Sequence, residues 1–156
     1  MAPTEGMPAM TESIQARQPS DCTCGRLRRA ARRMTQLYDA ALAPAGLTIA
    51  QFGLLAHVKA ATRSGAGIAL GELAERMSMD PTTLTRNLRP LETRRLLRSA
   101  PGAHDRRLRV IEISAAGRAA LRRALPLWRE AQAQVENQLG ATDAATLRAL
   151  LERAAA

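Results

Sequence analysis

Residues 70–92 read LGELAERMSMDPTTLTRNLRPLE, and this stretch decides the fold that the sequence predicts. A short helix over residues 70–77 would place its apolar side chains on one face. Asp80 then offers an N-cap, and Pro81 fits the first position of a second helix that runs to about Arg94. Two helices joined by such a tight turn form a helix-turn-helix.

The second of these helices has a leucine stripe and an opposite polar face. Leu84, Leu88 and Leu91 recur at helical spacing and are expected to face the core. At about 100° per residue, the opposite face carries Thr82, Arg86, Arg89 and Thr93. Arginine can bind guanine through two hydrogen bonds, and the N-terminal residues of a recognition helix reach base edges. The expected DNA contacts are therefore Thr82, Thr83, Arg86 and Asn87, with Arg89 directed towards phosphate. A charged face exposed only to water is the alternative.

A β-hairpin with an arginine-rich tip is predicted after the second helix. The extended runs Leu96–Arg98 and Leu108–Ile113 flank a turn that contains Pro101 and Gly102. Paired arginines suit the narrow, electronegative minor groove of A·T-rich DNA. The tip residues are Asp105, Arg106 and Arg107. The predicted fold class is therefore mainly α with a small β-hairpin wing, a winged helix-turn-helix.

The composition favours a DNA-binding protein. The 156 residues carry a formal net charge of +9, which suits one domain with an anionic partner. Part of this charge is what a GC-rich coding bias would give, so its distribution matters more than its size. Between Leu84 and Arg109, eight arginines stand against Glu92 and Asp105. Aromatic residues make up 2% of the chain, too few for a protein that stacks single-stranded bases.

Other function classes find little support in the sequence. There are two histidines, no glycine-rich phosphate loop and no nucleophile elbow, so neither an enzyme nor a cofactor is expected. A metal site is not expected either, because zinc on the two cysteines would need both subunits of a dimer. The alternative function is an architectural, nucleoid-associated protein that binds DNA without sequence preference. A cytoplasmic location is expected, since no segment has a signal-peptide or membrane-spanning pattern.

The rest of the chain is predicted to be helical after a disordered tail over residues 1–20. Helices are expected over about 22–43, over 49–61 after a capping box of Thr48 and Gln51, and over 115–139 after Ser114. A last helix would start at Thr142 or Asp143. The domain assignment is a winged core at 47–113, with helical dimerisation regions at 21–46 and 114–156. Their apolar seams exceed what one winged domain can cover, and the alternative is that these helices only close the core of the monomer.

The chain resembles the MarR family of winged helix-turn-helix transcription regulators over about residues 22–151. The resemblance rests on GLT-x-x-QF at Gly46–Phe52, on residues 70–92, on the wing motif Asp105-Arg106-Arg107 and on SAAGR at 114–118. It implies a repressor that is a homodimer, with intertwined terminal helices and a pseudo-palindromic double-stranded operator. Its two recognition helices would enter major grooves about 34–36 Å apart. The resemblance also implies that Asp105 braces Arg107 for entry into the minor groove.

Three residues are expected to alter the backbone geometry of the helices and of the connection to the wing. Many family members have glycine where this chain has Arg95, so a left-handed backbone there would be strained. Pro90 removes a hydrogen bond inside the recognition helix, and a kink over Arg86–Pro90 is expected. Pro126 is expected to kink the fifth helix for the same reason.

The resemblance further implies a signal, either a small phenolic or other anionic ligand or an oxidant. By position, a pocket between the dimer helices and the winged domain would involve Arg32, Tyr38, Phe52 and His57, although a structural role also explains each of them. For an oxidant, Cys22 and Cys24 fall in the first turn of a helix rich in arginine, which favours the thiolate. Oxidation would give sulfenic acid or a disulfide across the dimer. Simple packing at the interface is the alternative, and the sequence does not choose.

Overall fold

The computed structural model describes residues 22–62, 67–102 and 105–155. The predicted disordered tail over residues 1–20 lies outside the described residues. The chain divides into two compact units, Met1–Gln36 and Leu37–Ala156. Within the first unit, the described residues form the N-terminal part of one helix, and the second unit contains the remaining elements.

Helices dominate the described residues, as the sequence predicts. A 3-10 turn, Ala43–Ala45, separates the first two helices. In chain order the helices and strands are α1 (Thr23–Leu42), α2 (Ile49–Ala61), β1 (Ile68–Ala69), α3 (Leu70–Arg76), α4 (Pro81–Thr93), β2 (Leu97–Pro101), β3 (Arg109–Ile113), α5 (Ala115–Leu139) and α6 (Ala141–Ala155). The observed fold is mainly α with a small antiparallel sheet.

Side-chain caps define where three of these helices begin. The Thr48 hydroxyl accepts a hydrogen bond from the Gln51 amide, and the Gln51 side chain accepts one from the Thr48 amide. Ser114 accepts a bond of 2.9 Å from the amide of Gly117 at the start of α5. Asp80 caps α4 in the same way. Each cap satisfies amide groups that the first helical turn leaves without a partner, so local sequence sets these boundaries.

The three strands pair in the order β1-β3-β2, and both pairings are antiparallel. In the hairpin, Leu97 lies opposite Ile113 and Pro101 lies opposite Arg109. The first hairpin strand therefore starts one residue later and ends three residues later than its predicted range. Strand β1 was not predicted, because two residues are too few to show a periodic pattern.

The predicted position of Leu108 is wrong. This residue was assigned to the second hairpin strand, but β3 begins at Arg109 and Leu108 is 50% exposed. Its amide instead donates to the carbonyl oxygen of Asp105, and its own carbonyl oxygen accepts from the amide of Gly102. Leu108 thus belongs to the turn, because these hydrogen bonds replace those of a strand.

The hydrophobic core lies directly beneath α4. Leu84, Leu88 and Leu91 are all 0% exposed, which confirms the predicted leucine stripe. They belong to one cluster with side chains from α2, α3, the sheet and α5. The stacked rings of Phe52 and Trp128, with centroids 5.7 Å apart, join α2 to α5. Packing of the inner face therefore determines which residues of α4 face outward.

Arg95 adopts a left-handed backbone with φ 56°, at the position where the sequence predicted strain. Its amide donates to the carbonyl oxygen of Glu92, and its carbonyl oxygen accepts from the Ser114 hydroxyl. These bonds hold a conformation that a side chain with a β-carbon disfavours. Ser78 also has a positive φ, of 49°. Helices α4 and α5 run as single elements through Pro90 and Pro126.

We expect Arg95→Gly to raise the free energy of unfolding by about 1 kcal/mol, because glycine adopts this backbone without the steric penalty of a β-carbon. Urea unfolding followed by circular dichroism measures the change. Arg95→Ala is the matched control, since it removes the same charge but keeps the β-carbon. Equal stabilisation by both variants would attribute the effect to charge and contradict the backbone explanation.

Among the described residues, no single helix is long and apolar enough to cross a membrane. The helical segments Thr23–Ala45 and Ile49–Ala61 meet those limits only when they are taken together as a bent pair.

Candidate nucleic-acid interface

The outer face of α4 presents hydroxyl and guanidinium groups to solvent. Thr82, Arg86, Arg89 and Thr93 are all exposed, as the helical spacing predicts, and the predicted contact Thr83 is exposed as well. Asn87 differs from them because it is half-buried and its amide nitrogen lies 3.7 Å from the sulfur of Met79. Four of the five predicted contacts on this helix are therefore presented outward, and the fifth is turned towards the helix-turn-helix turn.

Asp80 fixes the N-terminus of α4, where the first base contacts are predicted. Its carboxylate accepts a hydrogen bond of 2.9 Å from the backbone amide of Thr83. Hydrogen bonds from Thr83, the side-chain bond first and the backbone bond second, hold the pKa of Asp80 below its usual value. The carboxylate is therefore ionised at neutral pH and remains a good acceptor for the helix amides.

At the wing tip, Asp105 and Arg107 contact each other through the backbone. The Asp105 carboxylate accepts a hydrogen bond of 2.9 Å from the backbone amide of Arg107. This is the geometry of an Asx turn, which shapes the loop. Arg106 and Arg107 are both exposed. The described contact thus orders the turn that carries the two guanidinium groups.

Three of the eight arginines between Leu84 and Arg109 bind other parts of the protein. Arg94 donates a bond of 2.8 Å to the carbonyl oxygen of Gly46. Arg98 and Glu112 form an ion pair of 2.5 Å between directly opposed residues of β2 and β3. The third is Arg109, which pairs with Glu92. The local charge that the sequence assigns to DNA is therefore shared between DNA binding and the protein's own structure.

The ion pair between Glu92 and Arg109 joins α4 to the sheet. The sequence analysis does not predict it. Arg109 Nη2 lies 2.8 Å from Glu92 Oε1 and 3.1 Å from Glu92 Oε2. Burial by itself would raise the pKa of Glu92, but hydrogen bonds from Ser99 and Arg109 outweigh burial and the pKa is lowered. The stabilisation from this pair is therefore present above the ordinary carboxyl pKa and is lost as the pH falls through the lowered value.

Three of the predicted ligand-pocket residues, Phe52, Tyr38 and His57, belong to the second compact unit and have separate surroundings there. Phe52 lines a cavity of about 260 Å³ between α2 and α5. Tyr38 is half-buried, and its hydroxyl donates to Gln132 over 2.6 Å. Burial, followed by the nearby charge of Glu136, raises the pKa of Tyr38. His57 is exposed, with Nδ1 2.8 Å from the carbonyl oxygen of Gly53. Arg32 is exposed and belongs to the other compact unit.

The sequence did not single out the two basic residues of this cavity. Lys59 and Arg122 line it together with Phe52 and the apolar side chains of Ala56, Ala60, Leu121 and Leu125. An apolar cavity with two cationic groups suits a small aromatic anion. Helical spacing on α2 and α5 places Lys59 and Arg122 on these faces, but their approach across two helices is a tertiary feature.

Cys22 and Cys24 are both exposed free thiols at the beginning of α1. The carbonyl oxygen of Cys22 accepts a hydrogen bond of 3.1 Å from the amide of Arg26, so Cys22 stands at the start of the helix and Cys24 in its first turn. Within the described ranges, no group of three or more metal-ligating side chains occurs.

A helix-turn-helix with an exposed, basic recognition face, followed by a hairpin with two arginines at its tip, defines a winged helix-turn-helix DNA-binding protein. The model of the MarR family matches residues 45–108, which span both features. The chain belongs to the MarR family of transcriptional regulators, as the relationship to solved structures also shows.

Several solved structures of regulators are similar to this chain. The M. tuberculosis transcriptional regulator MosR in complex with DNA is 42% identical, with a TM-score of 0.70, and the match covers 85% of this chain and 98% of MosR. A cysteine-to-serine variant of E. coli MarR with operator DNA is 25% identical, with a TM-score of 0.75 over 94% of this chain and 99% of that one.

A probable transcriptional regulator from Pseudomonas aeruginosa is 27% identical, with a TM-score of 0.77 over 87% of this chain and 98% of that chain. No match is found among the curated protein sequences. These relationships make the protein a sequence-specific DNA-binding transcriptional regulator, the class that the residues of α4 and the wing predicted.

Proposed function

We propose that this regulator is a homodimeric repressor that binds a pseudo-palindromic operator and is released by a small ligand or an oxidant. The observation that carries the proposal is the outer face of α4, where threonine and arginine side chains stand on a fully buried leucine stripe. Such a face can enter a major groove without disturbing the core. A related structure, 26% identical over 97% of this chain and with a TM-score of 0.78, is described as the transcriptional repressor CouR bound to a DNA duplex.

For the DNA contacts, we assign base readout to Thr82, Thr83 and Arg86, and phosphate contact to Arg89. These side chains are exposed on one helix, with hydrogen-bonding groups suited to base edges and phosphates. Asn87 contributes to base readout only if its amide leaves the Met79 sulfur. Arg106 and Arg107 are assigned to the minor groove that flanks the half-site, with Asp105 holding their turn.

A homodimer is supported by apolar side chains that the chain leaves exposed near its ends. Those on α5 and α6 are Leu139, Leu147, Leu150 and Leu151, between 40% and 50% exposed. On α1, Leu27 and Met34 are 39% and 37% exposed. Large apolar side chains that are exposed on α1, and separately on α5 and α6, are of the kind that a protein interface covers. We therefore assign dimerisation to residues 21–46 and 114–156, and DNA binding to residues 47–113.

Two features support a releasing signal. The cavity lined by Phe52, Lys59 and Arg122 suits a small aromatic anion, because its lining combines apolar side chains with two cationic groups. The exposed free thiols of Cys22 and Cys24 suit an oxidant, because a solvent-accessible thiol can be reached and oxidised. The ligand and the oxidant depend on different residues, so gel shifts of variants at those residues can distinguish the two signals.

The test is a gel shift with the DNA upstream of the protein's own gene, repeated with peroxide and with a panel of aromatic acids. A repressor should prefer this duplex over competitor DNA at moderate salt, whereas a non-specific architectural protein should lose all duplexes alike as salt rises. We expect one of the two treatments to release the DNA. If neither releases it, the proposed signal is wrong.

For release by peroxide, we expect replacement of both Cys22 and Cys24 by serine to abolish the effect, since serine keeps the size but not the redox chemistry of cysteine. For release by an aromatic acid, we expect Arg122→Ala to abolish the effect and the double serine variant to leave it unchanged. Release by peroxide that persists in the serine variant contradicts a role for these thiols, and gel shifts of both variants under both treatments provide the measurement.

A further inference from the structure

Glu92, Ser99 and Arg109 form a closed polar triangle, which we name the wing brace. Arg109 Nη2 bonds both carboxylate oxygens of Glu92, over 2.8 and 3.1 Å. Arg109 Nε donates to the Ser99 hydroxyl over 2.9 Å, and that hydroxyl donates in turn to Glu92. Each residue therefore contacts the other two. The side chains of Arg109 and Glu92 are only 35% and 25% exposed, so water screens their pairing incompletely.

The wing brace connects the two DNA-binding elements directly. Glu92 lies in the last turn of α4, one position beyond the buried Leu91. Ser99 is in the middle of β2, and Arg109 is the first residue of β3, next to the wing turn. The hairpin is also held by the pairing of β3 with β1 and by Leu97, Ile111 and Ile113, which enter the core. The wing brace adds a direct connection from α4 to both hairpin strands next to the wing turn, and we expect this connection to restrict motion of the tip relative to α4.

We propose that Glu92 is a positioning residue that sets the angle of the wing to the recognition helix, so that base readout by Arg86 and minor-groove contact by Arg107 occur in one fixed register. The inference rests on the proposed DNA contacts of these two arginines. With the wing brace intact, the contacts of Arg86 and Arg107 can both form at one spacing between the half-site and an A·T-rich flank. Without the wing brace, binding must also order the hairpin, and the entropy lost in ordering it weakens the affinity.

The charge of Glu92 allows a loss of geometry to be distinguished from a change in net charge. Glu92 is a negative charge on the DNA-binding side of the molecule, so its removal should by itself strengthen attraction to phosphate. Removal would also release the positive charge of Arg109. A loss of affinity on neutralising Glu92 therefore cannot arise from net charge and must come from lost geometry.

The experiment compares Glu92→Gln with the wild type on duplexes that the wild-type protein selects from a random DNA library. Each duplex is made with its A·T flanks intact and with the flanks replaced by G·C pairs of equal length. We expect Glu92→Gln to weaken binding about fivefold on the intact duplex, the loss of one charge-assisted contact, and to change binding little on the G·C-flanked duplex. Glu72→Gln is the matched control, because it breaks an exposed ion pair with Arg76 and makes the same charge change away from the wing.

A double-mutant cycle with Arg107→Ala separates positioning from general stabilisation. If Glu92 acts through the wing, Glu92→Gln should have little further effect once Arg107 is replaced. Additive losses, equal losses on both duplexes, or unchanged or tighter binding by Glu92→Gln would each overturn the inference. The proposed function fails separately, because a wild-type protein without sequence preference would select no duplex at all.

Discussion

Arg86→Ala is expected to weaken binding to the selected operator by about tenfold to a hundredfold, corresponding to about 1–3 kcal/mol, and to relax base preference at one position in each half-site. Arg86 is exposed on α4, on the opposite side from the buried Leu84 and Leu88. Its guanidinium group can therefore reach base edges in the major groove while the helix stays packed. Fluorescence anisotropy with operators substituted at single positions measures both the affinity and the base preference.

The control for this prediction is Arg123→Ala, which removes the same charge from an exposed position on α5. Its effect should be small and the same for every duplex, because only the general attraction to phosphate changes. Two results would contradict the docking of α4. One is an unchanged affinity in Arg86→Ala, and the other is a loss of equal size for specific and competitor DNA.

Gly117→Ala is expected to lower the free energy of unfolding by about 2–3 kcal/mol, as overpacking against a fixed backbone does. A β-carbon at Gly117 would lie 2.1 Å from the carbonyl oxygen of Leu96 and 2.9 Å from Cγ1 of Ile113. The Leu96 carbonyl oxygen also accepts hydrogen bonds from the amide and the hydroxyl of Ser114. The first turn of α5 would therefore have to move away from the base of the wing.

Gly53→Ala is the matched control in urea unfolding. Gly53 lies inside α2, and a β-carbon there would meet nothing within 4 Å. Alanine should stabilise this helix by about 0.5–1 kcal/mol through its higher helix propensity. If both variants changed stability in the same direction, the close approach of Gly117 to the wing base would not be the cause.

The helix-turn-helix could be predicted in detail because its signals are local. The leucine spacing of α4, the Asp80 cap and the Ser114 cap each involve residues within one or two helical turns of one another. The exposed positions of Thr82, Arg86 and Arg89 follow from the same periodicity. For Arg95, where many family members have glycine, the sequence left two alternatives, a backbone that avoids the left-handed region or a strained one, and the structure has the left-handed backbone.

The sequence predicted the candidate site less completely than the helix-turn-helix, because some contacts of the site join residues that are distant in sequence. The bond from Arg94 to Gly46 and the pairing of Arg109 with Glu92 depend on how α4, the loop before α2 and the hairpin pack together. Arg94 and Arg109 were counted in the basic stretch between Leu84 and Arg109 without being named as DNA contacts, because a sequence does not show where their guanidinium groups end. The same reason explains why Lys59 and Arg122 were not recognised beside Phe52.

The sequence by itself determined the helices, the caps at Thr48, Asp80 and Ser114, the outward face of α4 and the wing with Asp105, Arg106 and Arg107, although the last helix starts at Ala141 and not at Thr142 or Asp143. These features are set by periodicity and by hydrogen bonds between near neighbours, which the order of residues encodes directly. Four features became visible only in the tertiary structure: the two-residue strand β1, the wing brace, the position of Leu108 in the turn, and the contact of the Asn87 side-chain amide with the Met79 sulfur. Each of these depends on which surface packs against it, and packing joins residues that the sequence keeps far apart.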